Sequence, residues 1–220
     1  MNGIIVVDKP TGMTSHDVVS RVRRKLSMRR VGHAGTLDPL ATGVLVILLG
    51  NSTKLFDKFV TFDKAYAATL MLGTQTTTAD ITGEVIEQKP FEHINQKEIE
   101  NVLSEFVGDS QQKPPMVSAV KYKGERLYKL ARKGIVVDRP ARNIRIDVLQ
   151  MVDCVLPQVK FYLECSKGTY VRTLAEDVGA RLGCGACITQ IQRTKVGIFT
   201  LQDAVKLEEL NEGHVRSWSG

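Results

Sequence analysis

The sequence has no apolar run that approaches the roughly 20 residues a helix needs to span a bilayer. The first residues also lack the basic region of a secretion signal, and they reach the acidic Asp8 too early for an apolar signal core. From these two absences we expect a cytoplasmic protein that does not associate with membranes.

Cysteine is scarce, and all four cysteines lie in the C-terminal third, at Cys154, Cys165, Cys184 and Cys187. So few thiols favour a reduced, cytosolic protein. The last two have the CxxC spacing of some metal and redox sites, but no second CxxC and no paired histidines accompany them. We expect two small buried residues there and no metal.

Several catalytic motifs are missing. The sequence contains no P-loop, no GxGxxG that opens a helix, no zinc-deaminase pattern and no serine nucleophile elbow. The function classes that depend on these motifs are therefore disfavoured.

Positive charge is in excess, with a net charge of +6 and a pI of about 9.2. The basic residues concentrate in two stretches, 21–30 and 121–145, with an acid-rich block at 80–109 between them. Either stretch could be an ordinary solvated face. Two such stretches on one chain favour a surface that follows phosphates, and hence a nucleic-acid partner.

The segment 29–45 contains three glycines and a proline, so we expect a shaped loop, followed at once by the apolar strand 44–49. The loop carries one carboxylate, Asp38, and one imidazole, His33. A polar loop fixed to a buried strand can hold a reactive group still. A tight turn in which Asp38 caps local amides would give the same pattern.

Apolar periodicity and capping residues predict the remaining elements. Helices are expected at 16–26, 54–60, 95–106, 127–132, 170–182 and 207–210. Strands are expected at 4–7, 64–72, 117–121, 144–152, 159–165 and 188–199, with a polar loop at 74–83. This mixture predicts an α+β domain.

Three side chains could together support nucleophilic chemistry. A carboxylate nucleophile such as Asp38 must stay ionised, and an arginine partner such as Arg172 lowers a carboxyl pKa by roughly 1–3 units. Tyr66 would offer a face on which an extruded base can stack. Taken singly, Tyr66 could equally be a core residue and Arg172 a surface ion pair.

The chain resembles the TruB family of tRNA pseudouridine synthases almost from end to end. The resemblance rests on the central segment 32–45 and on six further blocks in the family's order: 8–15, 64–66, 80–83, 114–121, 127–128 and 165–172.

This resemblance implies the pseudouridine synthase fold, a mixed, mainly antiparallel central sheet flanked by helices and loops. It implies one catalytic domain over 1–220, with a small insertion subdomain around 84–145. A C-terminal PUA-type extension, common in relatives, is not evident. We therefore expect the catalytic domain to provide most of the contacts to tRNA. Binding should then be more salt-sensitive than in a relative that has the extension.

The implied activity is isomerisation of uridine 55 in the T-loop of tRNA, flipped out of its stack, without metal or cofactor. In the resemblance Asp38 is the nucleophile, Arg172 pairs with it and Tyr66 packs on the target base. Whether the aspartate attacks the base or the ribose stays open.

The resemblance also implies a set of substrate-binding residues. His33 helps to hold loop nucleotides out of their stack, and Ile191 lines the pocket where relatives often have leucine. The other candidates for RNA binding are Lys9, Arg29, Arg30, Gly35, Thr36, Lys64, Lys121 and Tyr170. The implied partner is the tRNA T-stem-loop, bound by a monomer without a guide RNA.

Two other functions could use the same residues. An RNA chaperone could unstack and refold the tRNA elbow, but a pure binder has no need of a costly buried carboxylate. A guide-dependent synthase would need further partner-binding segments, and none is visible in the 220 residues.

Overall fold

The computed structural model describes residues 1–218, and helices and strands both occur throughout that range. The helices are α1 (Ser15–Lys25), α2 (Phe56–Val60), α3 (Gln96–Glu105), α4 (Leu127–Arg132) and α5 (Val171–Arg181). The strands are β1 (Gly3–Lys9), β2 (Val31–Ala34), β3 (Thr42–Leu49), β4 (Lys64–Leu72), β5 (Thr74–Thr76), β6 (Val85–Gln88), β7 (Gly108–Gln112), β8 (Lys121–Tyr122), β9 (Glu125–Arg126), β10 (Arg142–Val155), β11 (Gln158–Cys165), β12 (Ala186–Val196), β13 (Phe199–Thr200) and β14 (Val205–Lys206). Short 3-10 helices occupy Gly50–Leu55, Leu201–Asp203 and Glu212–His214. The predicted α+β class is confirmed.

The chain divides into two compact units, one formed by Met1–Ala67 with the segment that begins at Gln190, the other by Ala68–Thr189. In the first unit the strand order is β14-β1-β3-β12, with β2 paired to β3 and β13 to β12. The pairs β1–β14 and β3–β12 are parallel, whereas β1–β3, β2–β3 and β12–β13 are antiparallel. The sheet is therefore mixed, as predicted.

Strand β3 forms the centre of the first unit because seven of its eight residues are buried. A strand covered on both faces is typically a continuous apolar run, and Val44–Leu49 is such a run. Beside it, the ring of Phe59 packs against Phe199 and Trp218, with centroids 6.2 and 5.0 Å apart. This cluster adds apolar packing to one face of the sheet.

Helix α1 begins where the sequence predicts, because Thr14 and Asp17 form a capping box. The Thr14 hydroxyl accepts the Asp17 amide at 3.1 Å, and the Asp17 carboxylate accepts the Thr14 amide at 2.9 Å. Val18 and Val22 on the inner face are fully buried, which leaves the arginines of the helix toward the opposite side. The helix thus presents positive charge to solvent.

The second unit contains the strand order β4-β11-β10-β7 and two small hairpins, β5–β6 and β8–β9. Strand β10 is antiparallel to both β11 and β7. Helix α3 is capped reciprocally by Asn95 and Glu98, and it buries Ile99 and Leu103. The Asn95 cap is confirmed as predicted.

Four local predictions were wrong. The expected loop 29–45 contains strand β2, because Val31–Ala34 pairs with β3, and the expected polar loop 74–83 begins with strand β5. The expected strand 117–121 is mostly irregular, since the carbonyls of Ser118 and Val120 accept amides from the start of α4 instead of a neighbouring strand. The expected helix 207–210 is a turn.

Within residues 1–218, none of the helices is both long and apolar enough to cross a membrane.

Candidate active site

Asp38 lies in the loop between β2 and β3, and its side chain is half-buried. The two strands pair antiparallel up to Ala34 and Val46, so the loop leaves and re-enters the same ladder. Within the loop the Ala41 amide donates to the Asp38 carbonyl at 3.1 Å. The carboxylate therefore projects from a short, closed segment, the Asp38 loop, defined as residues 35–41.

Ser15 at the start of α1 and Gly12 in the turn before it fix the Asp38 loop on both sides of the carboxylate. The hydroxyl of Ser15, which is 1% exposed, accepts the Leu37 amide at 2.8 Å and donates to the Leu37 carbonyl at 3.2 Å. The Gly12 amide donates to the Pro39 carbonyl at 2.8 Å. The main chain before and after Asp38 is thus held by direct hydrogen bonds.

Lys9, at the end of β1, has no exposed area, although the resemblance placed it among RNA-binding residues. Its ammonium donates to the carbonyls of Met13 at 2.6 Å, Pro10 at 2.8 Å and Pro39 at 3.4 Å. Burial lowers the pKa of Lys9 to about 8, and attraction to Asp38 partly opposes that shift. A buried cation therefore acts electrostatically on the candidate nucleophile.

Arg193, on β12, is a second buried cation, only 1% exposed, and the sequence did not reveal it. Its guanidinium donates to the carbonyls of Val44 at 2.8 Å and Gly35 at 3.1 Å, and the side chain of Tyr66 lies close enough to interact with it. Burial lowers the pKa of Arg193, whereas Tyr66 and Asp38 raise it. The sequence predicts this strand from its alternating apolar residues. That pattern contains no local signal that distinguishes a buried arginine from an exposed one.

Three more predicted residues lie in the strands of the first unit. His33 is half-buried on β2, opposite Ile47 of β3. Lys64 is 9% exposed, and its ammonium donates to the carbonyl of Val60 at 2.8 Å and to that of Phe62. Ile191 is half-buried on β12, and alternation puts it on the same strand face as Arg193.

The predicted RNA-binding residues just before β2 and in the Asp38 loop are more accessible to solvent than Lys9 and Lys64. Arg29, Arg30 and Thr36 are exposed. The Arg30 guanidinium donates to the Thr53 hydroxyl at 2.8 Å and to the Asn51 side chain at 3.2 Å, so its orientation is partly fixed.

In the second unit, Arg172 near the start of α5 is 4% exposed and holds two separate loops. Its guanidinium donates to the carbonyl of Thr78 at 2.7 Å and to that of Val117 at 2.8 Å. It also lies 3.6 Å from the carboxylate of Asp80, which is 5% exposed. Asp80 in turn accepts the Thr82 amide at 3.0 Å. Asp80 belongs to the block 80–83, and its sequence alone does not predict this ion pair.

The other two predicted residues of this unit are Tyr170 and Lys121. Tyr170 precedes α5, and Gln112 of β7 bonds both its amide, at 2.8 Å, and its carbonyl, at 3.1 Å. Lys121 lies on β8 and is exposed. Cys184 and Cys187 are buried free thiols, and within residues 1–218 no group of three or more His, Cys, Asp or Glu side chains could hold a metal ion.

The first unit alone therefore offers a carboxylate on a fixed loop, two buried cations and the ring of Tyr66, which is 8% exposed. Such a carboxylate is suited to act as a nucleophile or base, because positive charge nearby favours its ionised form.

Comparisons with known proteins give a consistent result. A family model described as TruB family pseudouridylate synthase (N terminal domain) matches residues 23–171, and one described as tRNA pseudouridylate synthase B C-terminal domain matches 172–217. The chain is similar to tRNA pseudouridine synthase B of Opitutus terrae, at 47% identity over 96% of this chain and 87% of that protein. It is also similar to tRNA pseudouridine synthase B of Geobacter sulfurreducens, at 49% identity over 96% of this chain and 70% of that protein.

Solved structures support the same fold. A chain of a Cbf5-Nop10-Gar1 complex matches with a TM-score of 0.74 and 29% identity, over 94% of this chain and 53% of that chain. This protein thus spans about half the length of that solved chain. A structure named pseudouridylate synthase matches with a TM-score of 0.51 at 15% identity, over 94% of this chain and 68% of that one, and that likeness concerns the fold alone.

Proposed function

The chain belongs to the TruB family of pseudouridylate synthases, and from that membership we propose that it converts uridine 55 in the T-loop of tRNA to pseudouridine. The observation that carries the proposal is the Asp38 loop. Its main chain is bonded by Ser15 and Gly12, and the cations of Lys9 and Arg193 interact with its carboxylate. A nucleophile needs this combination of fixed position and retained charge.

The reaction conserves every atom of the base except one exchanged hydrogen. The bond between ribose C1′ and uracil N1 breaks, the uracil turns, and a bond forms between C1′ and C5. The hydrogen on C5 leaves as a proton, and N1 gains a proton. The Asp38 carboxylate supplies the electron pair for a transient covalent bond, either to ribose C1′ or to the base, and it is regenerated when that bond breaks.

Tyr66 contributes a ring face against the flipped-out uracil, and its interaction with Arg193 helps to orient it. Arg172 serves as the cationic partner of the nucleophile in the reaction. Ile191 adds an apolar wall, which limits the access of water to reactive intermediates. His33 holds the loop nucleotides out of their stack.

Phosphate contacts come from exposed cations on both units. The set comprises Arg29, Arg30 and Lys121 together with the basic stretches 21–30 and 121–145. In this proposal Gly35 and Thr36 bring main chain close to the extruded nucleotide, and Tyr170, just before α5, contacts the substrate. Lys9 and Lys64 are buried, so they support the site from below its surface. We infer a monomer that acts in the cytoplasm on tRNA and without a guide RNA.

The decisive experiment is tritium release from tRNA that carries uridine labelled at C5, because bond formation at C5 expels that hydrogen. Wild type is compared with Asp38→Asn, which has the same size and no charge. Asp57→Asn on α2 is the matched control, since Asp57 is an exposed aspartate of the same unit. A tRNA with cytidine at position 55 tests whether uridine 55 is the position that is modified.

Wild type and Asp57→Asn should release about one tritium per tRNA, as expected for a single modified site, and Asp38→Asn should release none while binding tRNA as tightly. Equal release from the cytidine-55 tRNA would contradict the choice of site. Tight binding without release by any variant would make the protein an RNA-binding module or chaperone.

A further inference from the structure

Arg193 is buried more completely than a charged side chain usually tolerates. Arginine is rarely fully buried unless its charge and its donors find partners, because removing it from water is costly. Arg193 nevertheless belongs to the largest fully buried side chains of the protein. Its burial calls for a reason beyond the packing of β12, for which an apolar residue would serve better.

The partners of Arg193 lie at the two ends of the Asp38 loop. Its Nε donates to the carbonyl of Val44, just after the loop, and its Nη2 donates to the carbonyl of Gly35, at the first residue of the loop. The guanidinium is planar and rigid, so two bonds from one group fix the separation of the two carbonyls. Asp38 lies between those two positions in the chain.

The main chain of β12 reinforces this geometry. Arg193 pairs in register with Gly43 of β3, at such close approach that a side chain at Gly43 would collide with the Arg193 carbonyl. A Cβ at Gly35, whose φ is +90°, would lie 3.5 Å from Nη1 of Arg193. Gly43 therefore allows the close approach of the two strands, and Gly35 supplies the positive φ with which the loop begins.

The side chain of Tyr66 also interacts with the same guanidinium, and this interaction raises the pKa of Arg193. Arginine can only donate, so the phenolic oxygen of Tyr66 is the acceptor. One side chain thereby connects the loop that carries Asp38 with the ring to which the proposed function assigns the base contact.

We propose that Arg193 is a positioning residue, which fixes the Asp38 loop and the Tyr66 ring relative to each other so that nucleophile and stacking face meet the same uridine. This assignment rests on the proposed function. It adds a role for a residue that does not itself touch the substrate. Its positive charge further favours the ionised form of the nucleophile.

The test separates positioning from simple structural support by measuring the single-turnover rate of tritium release, tRNA affinity and thermal unfolding for the same variants. Arg193→Lys keeps a cation but cannot span both carbonyls, and Arg193→Met keeps bulk without charge. Arg181→Lys is the matched control, because Arg181 is an exposed arginine on α5 paired with Glu105.

Arg193→Lys should lower the single-turnover rate by roughly 100-fold, the effect of a displacement of about 1 Å at a reacting group, with unchanged tRNA affinity. Arg193→Met should in addition move the acidic limb of the rate–pH profile to higher pH, because the lost cation no longer favours the carboxylate. Arg181→Lys should match wild type in all three measurements.

A wild-type rate and pH profile in folded Arg193→Lys would overturn the assignment while leaving the proposed function intact. Absence of release by wild type itself would overturn both. If the Arg193 variants unfold below the assay temperature, Tyr66→Phe is the deciding test of the assignment. It keeps the aromatic ring and removes the phenolic oxygen that faces Arg193. Slower turnover at unchanged affinity then supports the assignment, and a wild-type rate contradicts it.

Discussion

Gly43 and Arg193 face each other across the parallel pair β3–β12, and a Cβ built on Gly43 would lie 2.3 Å from the carbonyl oxygen of Arg193. The φ of Gly43 is +97°, a conformation that side chains of L-residues rarely adopt. Close approach and backbone conformation therefore both require glycine at the point where the Asp38 loop joins the sheet.

Gly43→Ala should lower the free energy of unfolding by roughly 3 kcal/mol or more, since strain at positive φ and a main-chain collision add together. Gly183→Ala is the control, because Gly183 has a φ of +79° with nothing within 4 Å of its added Cβ. That control should lose about 1 kcal/mol in the same urea titration. Equal losses of unfolding free energy for the two variants would show that the structure shifts to relieve the collision at Gly43.

Lys9 should make stability depend on pH in the alkaline range. Its pKa is lowered from 10.5 to about 8 in the folded protein, so the unfolded chain binds more protons between these values. The contribution of Lys9 to the free energy of unfolding therefore increases as pH rises from 8 to 10.5, and it is lost as pH falls through 8.

Lys9→Met removes that titration and provides the comparison. The difference in free energy of unfolding between wild type and Lys9→Met, measured by urea titration at several pH values, should shift in favour of wild type from pH 8 to 10.5. Parallel curves over that range would mean that Lys9 keeps its ordinary pKa in the folded state.

Asp80 should affect catalysis through Arg172. The two form a buried ion pair at 3.6 Å, so Asp80→Asn removes a negative charge from beside a buried guanidinium. Breaking such a pair costs roughly 3 kcal/mol of stability. We also expect the single-turnover rate to fall about 10-fold or more, because Arg172 loses part of its orientation.

The control for this variant is Asp153→Asn, which removes an exposed carboxylate paired with Lys160 at 2.9 Å in the same unit. Exposed pairs contribute little, so this change should leave stability and rate near wild type. A folded Asp80→Asn protein with the wild-type rate would show that Arg172 needs no help from Asp80.

Local signals explain why much of the fold could be predicted. Thr14 and the valines of α1 mark a capped, one-sided helix, and Val44–Leu49 is apolar enough to define a buried strand without reference to the rest of the chain. Strand β2 escaped prediction because its pairing with β3, rather than its own short sequence, makes it a strand.

The supporting residues of the site could not be predicted from local pattern. The hydrogen bonds of Arg193 reach residues 149 and 158 positions away in sequence, and the bond from Arg172 to Thr78 spans 94 positions. Only the folded chain brings these groups together. Asp38 was identified through its loop and the family resemblance, whereas Arg193 has no local feature that distinguishes it from a surface arginine.

The cysteines should be inert in the folded protein. Cys165, Cys184 and Cys187 are buried, and Cys154 is half-buried. Burial also raises the pKa of Cys154, Cys184 and Cys187, which reduces the reactive thiolate. Iodoacetamide at pH 8 should modify at most Cys154 in native protein and all four in urea, as counted by mass spectrometry. Rapid native labelling of Cys187 would contradict the burial of the CxxC pair.

Exposed arginines on α1 should contribute to tRNA affinity in a salt-dependent way. Arg21 and Arg24 are exposed, and the buried valines of the helix face the other side. If each contacts one phosphate, replacing both with glutamine should reduce the slope of log K against log salt by about 2 in magnitude, because fewer counterions are released. The single-turnover rate at saturating enzyme should not change. Arg181→Gln on α5 is the control and should keep the wild-type slope, whereas parallel slopes for all three proteins would place the bound tRNA away from α1.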